Sequence, residues 1–102
     1  MAQTVNFTSS TYSYYDDGLL HREDGPALFF TETGNTEYWQ HGKKHRLDGP
    51  ADISVHGSVW WINGHCVDTA IRKWAKYMNI DLDNLSDKDK IMIQIKWSDY
   101  NG

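Results

Sequence analysis

The string His21-Arg22-Glu23-Asp24-Gly25-Pro26-Ala27 returns 24 residues later as His45-Arg46-Leu47-Asp48-Gly49-Pro50-Ala51. Upstream of it, Tyr14-Tyr15-Asp16-Asp17-Gly18 aligns with Tyr38-Trp39-Gln40-His41-Gly42, and a third, partial copy stands at Trp60-Trp61-Ile62-Asn63-Gly64. A unit this short cannot enclose a core of its own. It must lean on its neighbours, so the repeat dictates an array of small, similar supersecondary pieces. A chain of 102 residues has room for one such array and its closure within a single domain.

Turn chemistry identifies the pieces as hairpins. Asp17-Gly18 and Asn63-Gly64 are strong type I′ signals, because both central positions need positive φ. His41-Gly42 occupies the same place in the middle unit. The aromatic pairs Tyr14-Tyr15, Tyr38-Trp39 and Trp60-Trp61 then read as the ends of three equivalent strands. Asp24-Gly25-Pro26 and Asp48-Gly49-Pro50 form a second kind of turn, in which Asp caps local backbone and Pro cannot donate to a ladder. Ala27-Leu28-Phe29-Phe30 and Ala51-Asp52-Ile53-Ser54-Val55 follow as strands, with further turns at Thr33-Gly34 and His56-Gly57. The Asp-Gly-Pro turns are 24 residues apart but Gly42 and Gly64 only 22, which places a two-residue deletion in the intervening hairpin. The residues before Tyr12, which include Ser9, Ser10 and Thr11, either form a first edge strand or remain partly mobile.

Side chains alternate along a strand, so the two members of each aromatic pair face opposite ways. Tyr38 and Trp60 are taken as the outward members and as protein-binding anchors, with His45 and Arg46 supplying polar complementarity. The duplicated His21, Arg22 and Asp24 have two readings. As a brace, Arg bridges the turn Asp or neighbouring carbonyls while His bonds a strand carbonyl or stacks on an aromatic ring. As a ligand site, His21, Arg22 and Arg46 clamp an anion or nucleotide beside a stacking aromatic.

The unit aromatic-aromatic-x-x-Gly-x-x-His-Arg-x-Asp-Gly-Pro-Ala, carried by residues 14–27 and 38–51, resembles the divergent MORN-type repeats of small bacterial and bacteriophage proteins. The resemblance covers residues 14–66. It implies successive β-hairpins serving as a scaffold or binding surface, and a phage-encoded inhibitor or modulator of a host bacterial protein acting in the host cytoplasm. The third unit departs from the pattern: His65-Cys66-Val67-Asp68 follows Gly64, with no Asp-Gly-Pro turn.

That departure marks the end of the array, and an open end needs a cap. Asp68 or Thr69 can cap a helix in which Ile71, Trp74, Ala75 and Met78 form an i, i+3, i+4, i+7 stripe. Ser86 can cap a second, with Asp87 and Asp89 at its positive end and a body over 88–96. There Ile91, Ile93, Ile95 and Trp97 alternate as in a strand, so cap chemistry and periodicity conflict; the acidic, capped start favours helix. The expected fold is therefore a β-rich α+β one: an antiparallel meander of repeated β-hairpins over residues 1–67, capped by one or two C-terminal helices over residues 68–102, within one domain.

Composition narrows the function. A net charge of −4 gives no long-range attraction to phosphate backbones, so nucleic acid is a disfavoured partner. Cys66 is the single cysteine, which excludes an internal disulfide and fits a cytoplasmic protein. No stretch has transmembrane length. The five histidines all lie in the repeats or their turns and show no catalytic or metal-ligand spacing. The expectation is a non-catalytic protein-binding module without metal or cofactor, partnered by a host or phage protein. A protein that binds and sequesters a nucleotide or other small ligand and a structural or assembly protein are the alternatives, and a homodimer would help to close the array.

Overall fold

The computed structural model describes residues 3–102. The first described elements are β1 (Gln3–Phe7) and β2 (Thr11–Asp16), paired antiparallel from Gln3 opposite Asp16 to Phe7 opposite Tyr12. β2 then bends through Asp17-Gly18 into β3 (Leu19–Leu20). Next come β4 (Leu28–Phe30) and β5 (Thr36–Glu37), a ribbon of β6 (Trp39–Gln40) and β7 (Lys43–Lys44), then β8 (Asp52–Ser54) and β9 (Gly57–Val59), and a second ribbon of β10 (Trp61–Ile62) and β11 (His65–Cys66). The main sheet runs β1-β2-β4-β5-β8-β9 with β3 attached to β2. Helices α1 (Asp68–Tyr77) and α2 (Asp87–Trp97) follow. The result is the expected open antiparallel meander with two C-terminal helices. The Cα radius of gyration is 14.2 Å, above the ~13 Å of a compact domain this long, and the longest dimension is 42 Å.

The type I′ turns have the required backbone. Asp17, His41 and Asn63 sit at φ 52°, 51° and 51°, and Gly18, Gly42 and Gly64 at 80°, 76° and 83°. The two-residue deletion lies in the other row of hairpins. Phe30 N–H donates to the Asn35 carbonyl, leaving four loop residues, whereas Ser54 pairs with Gly57 and leaves only Val55 and His56. Because the difference is even, side chains beyond each loop keep their faces. The second loop lies one residue earlier than the sequence suggested, and Gly57 opens β9.

Three hydrogen bonds recur wherever one unit meets the next. The Gly42 and Gly64 N–H groups donate to the Leu20 and Lys44 carbonyls, and the Arg22 and Arg46 N–H groups donate to the Trp39 and Trp61 carbonyls. The third bond uses a side chain: His21 Nδ1 accepts from His41 N–H at 3.0 Å, and His45 Nδ1 accepts from Asn63 N–H at 2.9 Å. The first residue of a type I′ turn directs its N–H away from its own ribbon, and the preceding unit's histidine satisfies it. The brace expected of His is therefore real, but the ring accepts from a turn amide instead of bonding a strand carbonyl.

The core is not shared evenly along the array, as an aromatic interior running through all units would require. It is concentrated where the third unit meets the helices: Trp60, Ile62, Val67, Ile71, Ile93 and Trp97, with Leu47, Trp74, Leu82, Leu85 and Tyr100 packed around them. Between the earlier units the fully buried apolar side chains are Ala27 and Ala51. Trp60 was expected to face outward; it is 1% exposed and lies at the centre of this core, so it cannot anchor a partner.

α1 starts without a side-chain cap, its N-cap being Val67. Asp68 does not cap the helix as expected. Its Oδ1 accepts from Trp60 N–H at 3.0 Å and its Oδ2 accepts from Arg72 Nε at 2.9 Å. The equivalent amides, Tyr14 N–H and Tyr38 N–H, donate to the carbonyls of Ala27 and Ala51. Asp68 thus supplies by side chain the acceptor that a further repeat would have supplied by backbone. Ile71 and Ala75 of the expected stripe are buried, but Met78 is 36% exposed because the helix already ends there. Asn79 at φ 58° closes it, with Asn79 N–H bonded to the Lys76 carbonyl and Ile80 N–H to that of Ala75.

α2 has the capping box that Ser86 promised: Asp89 N–H donates to Ser86 Oγ and Ser86 N–H to Asp89 Oδ2, both at 3.1 Å. Wrapped on a helix, the alternating isoleucines divide. Ile93 and Trp97 enter the core, while Ile91 and Ile95 are left exposed.

Candidate functional site

Register and alternation divide the array into two faces. On one lie the first members of the aromatic pairs. Arg22 places its guanidinium 4.0 Å above the Tyr14 ring and Arg46 does the same 3.9 Å above Tyr38. Trp60 holds the third place, and there the two helices replace the arginine. Each Arg is fixed by its own turn: Arg22 Nε donates to Asp24 Oδ1 at 3.0 Å and Arg46 Nε to Asp48 Oδ1 at 2.9 Å, while their Nη1 atoms reach the Pro26 and Pro50 carbonyls. The turn glycines make room for this. A Cβ on Gly49 would lie 2.6 Å from Arg46 Cζ, and one on Gly25 would lie 3.2 Å from Arg22 Cζ. Neither glycine has positive φ, so close approach, and not backbone freedom, requires glycine here. The carboxylates are largely exposed, which keeps these ion pairs weak; the repeated cation–π contact adds to them.

Between the two Asp-Gly-Pro turns and α2 lies an open cleft of about 600 Å³. It gathers Arg22, Tyr38, His45 and Arg46 with Lys90 and Gln94. Four of the residues expected to form sites therefore meet in one place. Trp60 is elsewhere, in the core. His21 is also buried, 5% exposed, with its ring 4.4 Å from that of His41 and its Nε2 3.4 Å from Glu23 Oε1. The cleft is not a cationic trap. Arg22, Arg46 and Lys90 are matched by Glu23, Asp24 and Asp48. Burial pushes the His45 imidazole below the usual histidine pKa, which suits the neutral ring needed to accept from Asn63 N–H. Tyr38 is covered by Arg46, and Arg46 by its own turn, so the duplicated residues are held chiefly by each other.

The opposite face carries the second members, Tyr15, Trp39 and Trp61. Across their ribbons, Tyr15 pairs with Leu20, Trp39 with Lys44 and Trp61 with Cys66. Lys44 lies between the two tryptophans: its ammonium is 4.9 Å from the Trp61 ring centroid and 5.7 Å from that of Trp39. Two carboxylates hold it, Asp52 Oδ2 at 2.9 Å and Glu37 Oε1 at 3.7 Å. Glu37 Oε1 also accepts from Trp39 Nε1 at 2.9 Å, whereas Trp61 Nε1 has no acceptor among the described residues. A groove of about 540 Å³ runs between the tips of the two ribbons, lined by Trp39, Lys43, Lys44, Trp61 and the residues of the third turn. No helix residue enters its lining.

Of the two aromatics taken from the sequence as outward, Trp60 is buried and Tyr38 is half-buried at the cleft; Lys44 was passed over. The signal was available in part. A two-residue loop at His41-Gly42 pairs position 39 with 44, placing a lysine opposite Trp39.

Among the described residues, no group of three or more His, Cys, Asp and Glu is arranged to hold a metal ion, and no helix is long and apolar enough to cross a membrane. No protein-family model, curated protein or solved structure matches the chain.

Proposed function

We propose that the protein is a non-catalytic protein-binding module that engages its partner through the Trp39–Lys44–Trp61 face. The observation that carries this reading is the pair of tryptophans flanking a fixed lysine on a sheet face that no helix covers. Large, rigid aromatics with a polar tip are the side chains that most often dominate interface energetics. Here the ladder and the Lys44–Asp52–Glu37 set hold them in place, so docking costs little ordering entropy. Lys43, also in the groove's lining, supplies a polar contact. The resemblance to MORN-type hairpin arrays supports the same role, with a host or phage protein in the cytoplasm as the partner we favour.

The test is partner capture with folded variants. Trp39→Ala and Trp61→Ala should each lose the partner, while Lys90→Ala and Gln94→Ala, in the cleft on the other face, should retain it. Retention by both tryptophan variants, with circular dichroism unchanged, would reject the assignment of the face.

One feature favours a second reading, a small-nucleotide site. The cleft lies between repeats and both Arg22 and Arg46 line it. Its three carboxylates weigh against an anionic ligand. Thermal shifts across linear and cyclic nucleotides decide the matter: a stabilisation abolished by Lys90→Ala would favour it, and no shift with any of them would end it.

A further inference from the structure

We infer that β1 is a self-pairing edge, through which two copies of this chain join their sheets antiparallel about a two-fold axis at Val5. In an antiparallel pair, the backbone groups of successive residues point alternately towards and away from the partner strand. Thr8 N–H bonds to the Thr11 carbonyl, and Tyr14 N–H points away from β1 to the Ala27 carbonyl. Val5 is the register partner of Tyr14. The N–H and C=O groups of Gln3, Val5 and Phe7 therefore point out of the sheet, and no described residue pairs with that edge.

The segment Gln3-Thr4-Val5-Asn6-Phe7 has none of the features by which edges are blunted. It carries no charge, proline or glycine. The other end of the sheet is blocked: Arg72 Nη2 donates to the Ser58 carbonyl of β9, and Asp68 takes the neighbouring Trp60 N–H. For a protein of net charge −4, an uncharged meeting surface adds no local repulsion between copies, and β1 provides one. The register is self-complementary. With Val5 on the axis, Gln3 of one copy faces Phe7 of the other, and each outward residue finds both a donor and an acceptor. Val5 and Phe7 are 51% and 61% exposed and share one face, and the Phe7 ring is 4.4 Å from that of Tyr12. Joining two edges would make these a continuous apolar strip. A two-fold axis closes the assembly at two copies because, among the described residues, β1 is the end of the main sheet left open.

Sedimentation velocity over a range of concentrations tests the proposal, using the whole chain, Val5→Lys and Val5→Pro. Val5→Pro deletes only an outward donor, which edge strands tolerate; Val5→Lys adds repulsion across the axis. The unaltered protein should shift from one to two chains as concentration rises, and both variants should stay monomeric with the same circular dichroism. For the register, in a Cys66→Ser background, Val5→Cys should cross-link two chains on air oxidation, since directly opposed Cα atoms lie within disulfide reach. Ser54→Cys, at the far end of the array, should not. A protein that stays monomeric throughout, including one whose edge is taken by some other protein's strand, overturns the proposal. So does a dimer that persists in both Val5 variants.

Discussion

The two ends of this array solve the same problem differently. At the carboxyl end, the amide that would have met another repeat is taken by the Asp68 carboxylate, the Ser58 carbonyl of β9 by Arg72, and the last of the first-member aromatics, Trp60, by two helices. At the amino end, β1 has five exposed residues and an outward row of backbone groups with no described partner. The middle units use neither device. They are joined by a histidine to a turn amide and covered by an arginine on a tyrosine. Stability should therefore be graded along the molecule, greatest at the capped end, as in other arrays where each unit contacts only its neighbours.

The largest effect should come from removing the aromatic at the capped end. Trp60→Ala should cost about 3–5 kcal/mol, the usual loss for a fully buried large aromatic. Tyr38→Ala, at the equivalent position one unit earlier, should cost roughly 1–2 kcal/mol, because only an arginine covers it. Urea unfolding of the pair measures the gradient directly, and equal losses would abolish it. Asp68→Ala comes next, at about 1–3 kcal/mol, since it leaves the Trp60 N–H without its acceptor. Thermal unfolding of that variant should also show greater loss than Asp24→Ala, whose carboxylate is exposed. The smallest effect belongs to the turn glycines. Gly49→Ala should displace the Arg46 guanidinium and cost ~1 kcal/mol. Gly25→Ala should cost less, because its added Cβ meets Arg22 at 3.2 Å, not at the 2.6 Å found at Gly49.

Features determined locally were legible in the sequence. The I′ turns follow from Asp, His and Asn standing before Gly, and α2 from Ser86 and Asp89, whose capping box prevailed over a strand-like alternation of isoleucines. Facing was not legible. Trp60 and Trp61 are chemically the same, and alternation says only that they oppose each other. Which one is buried depends on where α1 and α2 dock, a contact between distant parts of the chain. Asp68 was misread for the same reason: as a residue before an amphipathic stretch it resembles a cap, and only its bond from the Trp60 amide shows its use. The duplicated His and Arg were recognisable as either brace or ligand set. For the histidines, the brace rests on Nδ1 meeting an amide 18 or 20 residues further on, a contact no local pattern reveals.

That histidine link also sets a pH dependence. The folded His45 pKa is lowered by burial, so the unfolded chain takes up a proton first as pH falls. Stability from this group is complete above the unfolded value of about 6.5 and declines below it. A protonated ring also loses the lone pair that accepts from Asn63. Amide hydrogen exchange followed residue by residue tests the repeat-to-repeat link most directly. At neutral pH the Asn63 amide should be protected; His45→Ala should abolish that protection while leaving the His41 amide, bonded to His21, unchanged. An Asn63 amide that exchanges freely in the unaltered protein, or stays equally protected in His45→Ala, would contradict the account.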